Sequence, residues 1–249
     1  SAVCVTGLTV VDTVSSYSLF GELVILSLIQ LGGLGFMLFA TSVLILSGRR
    51  ISLRNRILLH ETMSMPGLSG TVRTTIRFMF IVIAVELAGS VLLALRFVPM
   101  YGFWKGTYFG FFHAISAFCN AGFDLFGAAG SLTQFHGDPH VLLTISSLII
   151  LGGIGFAVLA DLMQSRFRLR RLNLHSKIVL FTTAALLLAG CLLIAAFEWD
   201  NPQTLGVPGA GAPQKLLNAW FQSVTMRTAG YFSVPQSGLR NASKLLSSF

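Results

Sequence analysis

Ala117-Phe118-Cys119-Asn120-Ala121-Gly122-Phe123-Asp124 is the stretch from which the fold can be read. It is a short glycine-bearing segment between two apolar runs. Related stretches occur at Cys4-Val5-Thr6-Gly7-Leu8 and at Arg227-Thr228-Ala229-Gly230-Tyr231-Phe232. The run leading into Cys119, Trp104 to Phe118, is apolar and aromatic but falls short of the ~20 residues that cross a bilayer as helix. Pro213 to Met226 leads into the third stretch in the same way. Both runs read as half-length helices that enter a membrane and turn back.

Working outward, longer apolar runs flank these segments: Tyr17 to Leu46 with Glu22 near its start, Thr74 to Phe97, Val141 to Met163 and Ile178 to Phe197. Each is long enough to span a bilayer. Hydrophobic residues make up 54% of the chain and charged residues only 10%, against about 25% in soluble domains. Mean hydropathy is +0.77, which excludes a water-facing globular surface. The net charge of +8 does not point to nucleic acid, because the arginines cluster between apolar runs. Arg49, Arg50, Arg54 and Arg56 form one cluster and Arg166, Arg168, Arg170 and Arg171 another. Under the positive-inside rule both mark cytoplasmic loops. Glu198-Trp199-Asp200-Asn201-Pro202 and the polar loop Gly127 to Pro139 then fall outside. Both half-length helices lie on that outer side. The expected fold class is an all-α polytopic membrane protein.

The chain repeats internally. Leu28-Ile29-Gln30-Leu31-Gly32-Gly33-Leu34-Gly35-Phe36 returns as Leu148-Ile149-Ile150-Leu151-Gly152-Gly153-Ile154-Gly155-Phe156. The period, about 110–120 residues, is too long for a solenoid. The unit reads as helix, re-entrant half-helix, glycine segment, helix. Residues 1–65 hold the end of one unit, 66–172 a complete second, and 173–249 most of a third, cut within its last helix. The chain opens on Ser1-Ala2-Val3 without an initiator methionine, so it reads as part of a longer protein. Gly32, Gly33 and Gly35 cost helix propensity in water. In a membrane small residues let backbones approach closely, so they read first as packing and second as a hinge or a seat for a neighbouring half-helix.

Glycine segments at matching places in a membrane repeat suit one kind of chemistry. A cation crossing a bilayer exchanges its water shell for fixed oxygens, and main-chain carbonyls supply them. Irregular backbone at that depth must line a cavity or be buried in protein. Glycine allows dihedrals that turn carbonyls inward, and a half-helix ending there aims its carbonyl end at the ion. Gly7, Gly122 and Gly230 are therefore candidates for three walls of an ion-selectivity filter. The alternative is tight turns in outer loops.

Ser1-Ala2-Val3-Cys4-Val5-Thr6-Gly7-Leu8, Phe118-Cys119-Asn120-Ala121-Gly122-Phe123-Asp124, Arg227-Thr228-Ala229-Gly230 and Ile29-Gln30-Leu31-Gly32-Gly33-Leu34-Gly35-Phe36 resemble motifs of the Trk/Ktr/HKT potassium transporters. The chain is most similar to the bacterial Ktr-type membrane subunits, over essentially its whole length. That resemblance implies four potassium-channel-like units in pseudo-fourfold arrangement around one pore, with one filter glycine in each. It implies carbonyl roles for Val5, Thr6, Asn120, Ala121, Thr228 and Ala229 beside Gly7, Gly122 and Gly230. Gly7, where plant relatives with sodium preference carry serine, favours potassium. The resemblance further implies a homodimer in the cytoplasmic membrane and a cytosolic nucleotide-binding regulatory ring of the RCK type. The fourth filter segment and most of the third unit's gating loop are absent from the chain. No cofactor is expected beyond the transported potassium ion, with sodium coupling left open.

Asp124 follows its glycine and is expected to face an outer vestibule, either raising local cation concentration or simply solvated. Arg227 is expected to point away from the ion path and pin the end of its half-helix. Glu86, in mid-span, carries an insertion cost of about 2.5–3.5 kcal/mol; it is expected to be protonated or hydrogen-bonded between helices, or to meet a helix outside the chain. The arginine clusters could also dock the regulatory ring or anionic lipid. Cys4, Cys119 and Cys191 have no metal-ligand spacing. His60, His113, His136, His140 and His175 form no ligand set and receive no site. A membrane-embedded enzyme is disfavoured: HExxH, GxSxG and paired intramembrane carboxylates are all lacking. A sodium-preferring transporter and a scaffold subunit complete the alternatives.

Overall fold

A computed structural model describes residues 1–7, 13–34, 71–127, 130–165 and 168–247. The arginines of the first basic cluster, Arg166 of the second, Gly35 and Phe36 lie outside the described residues. Among those described, all regular structure is helical.

A short α1 (Thr13–Ser16) precedes α2 (Leu19–Gly33), which Ser18 caps by accepting from the Gly21 amide. The long α3 (Thr71–Tyr101) is followed, across Gly102 at φ 84°, by the half-length α4 (Phe103–Phe118). Next come α5 (Pro139–Gly153), α6 (Phe156–Gln164), α7 (Leu174–Glu198), the half-length α8 (Ala212–Thr228) and α9 (Asn241–Ser247). Phe78–Tyr101 and Leu174–Glu198 are long and apolar enough to cross a membrane, yet only 28% and 22% of an apolar 18-residue stretch in each is buried by protein. Phe80, Ile83, Leu87 and Val91 on α3, and Ile178, Phe181, Leu188 and Leu192 on α7, are left exposed. Water would not tolerate those stripes, and lipid would.

The two half-length helices nest alike. Helix α4 packs on α3, α5 and α2, and α8 packs on α7 and α5. Close approach depends on small residues at both contacts. A Cβ on Gly106 would lie 2.6 Å from the Val98 backbone, and one on Gly110 2.8 Å from the Ser90 carbonyl. On α7 the small residue is Gly190, which faces Ser223, and the Ser223 hydroxyl donates to the Leu187 carbonyl at 2.8 Å.

Two sequence expectations need correction. Val141 to Met163 is not one straight helix: α5 and α6 meet at 97° across Ile154 and Gly155. Gly155 adopts φ 93°, which continuous hydropathy conceals. Glu198 is no loop acid but the last residue of α7, with its side chain fully buried. Between α4 and α5, residues 130–138 fold back on the core, burying Leu132 and Phe135.

Candidate functional site

The C-terminus of α4 sets the geometry. The Asn120 amide donates to the Ala117 carbonyl at 3.1 Å and the Ala121 amide to the Ser116 carbonyl at 2.8 Å. Asn120 is left-handed at φ 58°. This is a Schellman termination, and it breaks the helix just where the glycine segment starts. The same pair of bonds recurs at the start of the chain, from Val5 to Ala2 and from Thr6 to Ser1, at 3.2 and 3.3 Å. There the left-handed position, φ 51°, is held by Val5, a β-branched residue for which that region is strained. The third segment differs. Helix α8 runs on to Thr228, and Ala229 is still right-handed at φ −98°.

Gly7, Gly122 and Gly230 adopt φ values of 66°, 70° and 77°. They also meet. A Cβ on Gly7 would lie 2.7 Å from the Ala121 carbonyl oxygen and 3.6 Å from the Gly122 Cα. A Cβ on Gly122 would overlap the Ala229 carbonyl oxygen and lie 3.4 Å from the Gly230 Cα. One on Gly230 would lie 3.9 Å from the Gly122 Cα. Each of the first two glycines thus faces the carbonyl just before the next glycine. Two positions earlier, Thr228 Oγ1 donates to Asn120 Oδ1 at 3.1 Å, joining corresponding residues of successive segments.

Hydroxyls brace the far side. Ser116 Oγ donates to the Phe123 carbonyl at 2.8 Å, and Thr225 Oγ1 to the Tyr231 carbonyl at 2.6 Å. In both segments the braced carbonyl directly follows the glycine. Tyr231 Oη also donates to the Phe123 carbonyl, at 2.9 Å. The glycine pairs of the inner helices serve the same junctions. A Cβ on Gly32 would overlap the Val3 carbonyl and one on Gly152 the Phe118 carbonyl, each four residues before a segment glycine. A Cβ on Gly33 would overlap the Cys119 thiol of the following segment. Gly153 has room, its nearest neighbours being Asn120 Nδ2 at 3.7 Å and Thr228 Oγ1 at 3.8 Å.

The charged residues sort as follows. Asp124 is half-buried, and its Oδ1 accepts from the Phe126 amide at 3.1 Å. Arg227 is exposed in the last turn of α8, where its charge complements the carbonyl end of the helix. Glu86 is 4% exposed and hydrogen-bonded between helices: Gln30 Nε2 lies 3.1 and 3.0 Å from its two oxygens. Gln30 Oε1 in turn accepts from the Cys119 thiol at 3.9 Å, so this acid is linked to the second glycine segment. Glu22 accepts from Tyr108 Oη at 2.7 Å, tying α2 to α4. His113, given no site from sequence, uses both ring nitrogens behind the second segment. A lone histidine in an apolar run offers no signal of that. No metal-binding cluster occurs among the described residues.

The pattern of the TrkH family, cation transport proteins, matches residues 1–249. The chain belongs to that family. Its similarity to individual TrkH-family members runs along nearly all of it. It is 42% identical over 240 residues to the Ktr system potassium uptake protein B of Bacillus subtilis, covering 96% of this chain and 53% of that protein. It is 39% identical over 249 residues to the potassium/sodium uptake protein NtpJ of Enterococcus hirae, covering 100% and 54%. It is 39% identical over 235 residues to the Ktr system potassium uptake protein B of Vibrio alginolyticus, covering 94% and 51%. The chain spans about half the length of these curated relatives. Membership of TrkH places the chain among cation transport proteins, and two of its helices are long and apolar enough to cross a membrane.

Proposed function

We propose that this chain carries part of a potassium uptake pathway across the cytoplasmic membrane. Val5, Thr6 and Gly7, then Asn120, Ala121 and Gly122, then Thr228, Ala229 and Gly230 form three walls of a channel-like filter. Residues 1–65, 66–172 and 173–249 are then successive helix–re-entrant loop–helix units, with a fourth wall supplied by chain beyond this sequence. The observation that carries this reading is the meeting of three left-handed glycines, each of the first two set against the carbonyl preceding the next. Two half-length helices end at those segments with their carbonyl ends, as cation stabilisation requires.

Potassium is favoured by Gly7, through the family resemblance, and by the names of the relatives in Bacillus and Vibrio. A sodium-carrying reading keeps its place because a relative matching the whole chain is named for both ions. The Ktr relatives are named as parts of a system. A homodimer under a cytosolic nucleotide-binding ring of the RCK type, with Arg168, Arg170 and Arg171 on the cytosolic side, fits that naming.

The test is ion uptake by the full-length protein in proteoliposomes, comparing wild type with Gly122→Ser and Gly7→Ser. Both variants are expected to lose potassium preference over sodium. An unchanged ratio in variants that remain monodisperse overturns the filter assignment.

A further inference from the structure

His113 is fully buried on α4, nine residues before Gly122. Its Nδ1 lies 2.7 Å from the Phe109 carbonyl, which can only accept. Its Nε2 lies 3.3 Å from the Leu125 amide, which can only donate. These partners fix a neutral ring with the proton on Nδ1. The ring stacks on Phe126 at 4.4 Å and 23°, and Phe97 meets it edge-on at 5.9 Å. It has no freedom to turn.

Leu125 is itself buried, so its amide has no water to bond if the imidazole is removed. Leu125 is the third residue beyond Gly122. The glycine segment is therefore held at both ends: by the Schellman termination at Asn120 and Ala121, and by the imidazole at Leu125. The third segment is held differently beyond its glycine: the Phe232 amide donates to Ser131 Oγ at 3.2 Å and the Phe232 carbonyl accepts from the Leu132 amide at 2.9 Å. Gln222 stands three residues before Thr225 as His113 stands three before Ser116. It donates to Gln236 at 3.1 Å instead, and its own Oε1 has no partner among the described residues.

We propose that His113 is a positioning residue for ion selectivity, its ring fixing the limb of the chain that leaves Gly122 and so the direction of the carbonyls from Asn120 to Gly122. The proposal rests on the filter reading above. Phenylalanine would fill the same space but leave the Leu125 amide unpaired. Glutamine offers both an acceptor and a donor.

The experiment measures potassium and sodium uptake by the full-length protein carrying His113→Phe, His113→Gln or Gly122→Ser, with monodispersity in detergent scored alongside. His113→Phe is expected to stay monodisperse while its potassium-to-sodium ratio falls roughly fivefold or more, the scale of one buried unpaired amide. His113→Gln is expected to recover most of the ratio. A His113→Phe ratio equal to wild type, with Gly122→Ser impaired, overturns the proposal and leaves the filter reading intact. If neither substitution changes the ratio, the filter reading itself falls. A second measurement uses the wild type alone: amide hydrogen exchange at Leu125 in potassium and in sodium. Slow exchange that slows further in potassium supports the proposal. Fast exchange, or the same rate in both ions, overturns it.

Discussion

Tyr231 Oη donates to the carbonyl of Phe123 at 2.9 Å, and these two residues directly follow the glycines of successive segments. The phenol is almost wholly buried, so the bond acts as a strut between the two segments. Because Ser116 also donates to that carbonyl, Tyr231→Phe leaves no orphan acceptor. A net loss of about 1 kcal/mol is expected, read as a small drop in the thermal midpoint of the full-length protein. Potassium-to-sodium uptake should fall, because the spacing of the two walls is no longer fixed. A variant with a lowered midpoint and an unaltered ratio would make the strut purely structural.

Adjacent glycines in one helix should respond oppositely to alanine. A Cβ on Gly152 overlaps the Phe118 carbonyl, whereas one on Gly153 meets nothing closer than 3.7 Å. Gly152→Ala must push the end of α4 away, an overpacking cost of about 1–3 kcal/mol. Gly153→Ala should be neutral or stabilising by up to about 1 kcal/mol, since alanine is the better helix former. Thermal unfolding of the two single variants checks the contrast. Equal effects would mean that α5 and α4 are not in this register.

Glu198 gathers donors from one loop and from the start of the final helix. Its carboxylate accepts from Thr204 Oγ1 at 2.7 Å, from the Arg240 amide at 2.8 Å, and from Asn201 Nδ2 and Ser243 Oγ. Glu198→Ala strands several of these, at about 1–3 kcal/mol for each donor left without water. Two residues on, Asp200 is exposed, and Asp200→Asn should have no measurable effect. Protease sensitivity of the Pro235–Lys244 region is the readout: sharply raised in Glu198→Ala, unchanged in Asp200→Asn.

What the sequence revealed, and what it hid, follows from the range over which each signal acts. The sequence reading places α4 at Trp104 to Phe118 against the observed Phe103–Phe118, and α8, by its parallel position before a glycine segment, at Pro213 to Met226 against Ala212–Thr228. Repeat spacing picks out Gly7, Gly122 and Gly230, and these are the glycines that meet. The bend at Gly155 escapes because Ile154 and Phe156 keep the run apolar while the backbone turns. Glu198 is misplaced because Trp199, Asp200, Asn201 and Pro202 look like a loop, and its partners Arg240 and Ser243 lie more than forty residues away. His113 escapes because its second bond, to the Leu125 amide, depends on where the chain returns after Gly122.

The contact between each glycine and the following segment bears on how such a chain can change over generations. A side chain gained at Gly7 or Gly122 strikes a neighbour's carbonyl, not its own. Neighbouring segments are in this way denied separate histories. A substitution at one of these glycines is therefore better tolerated with an answering change in the segment beside it.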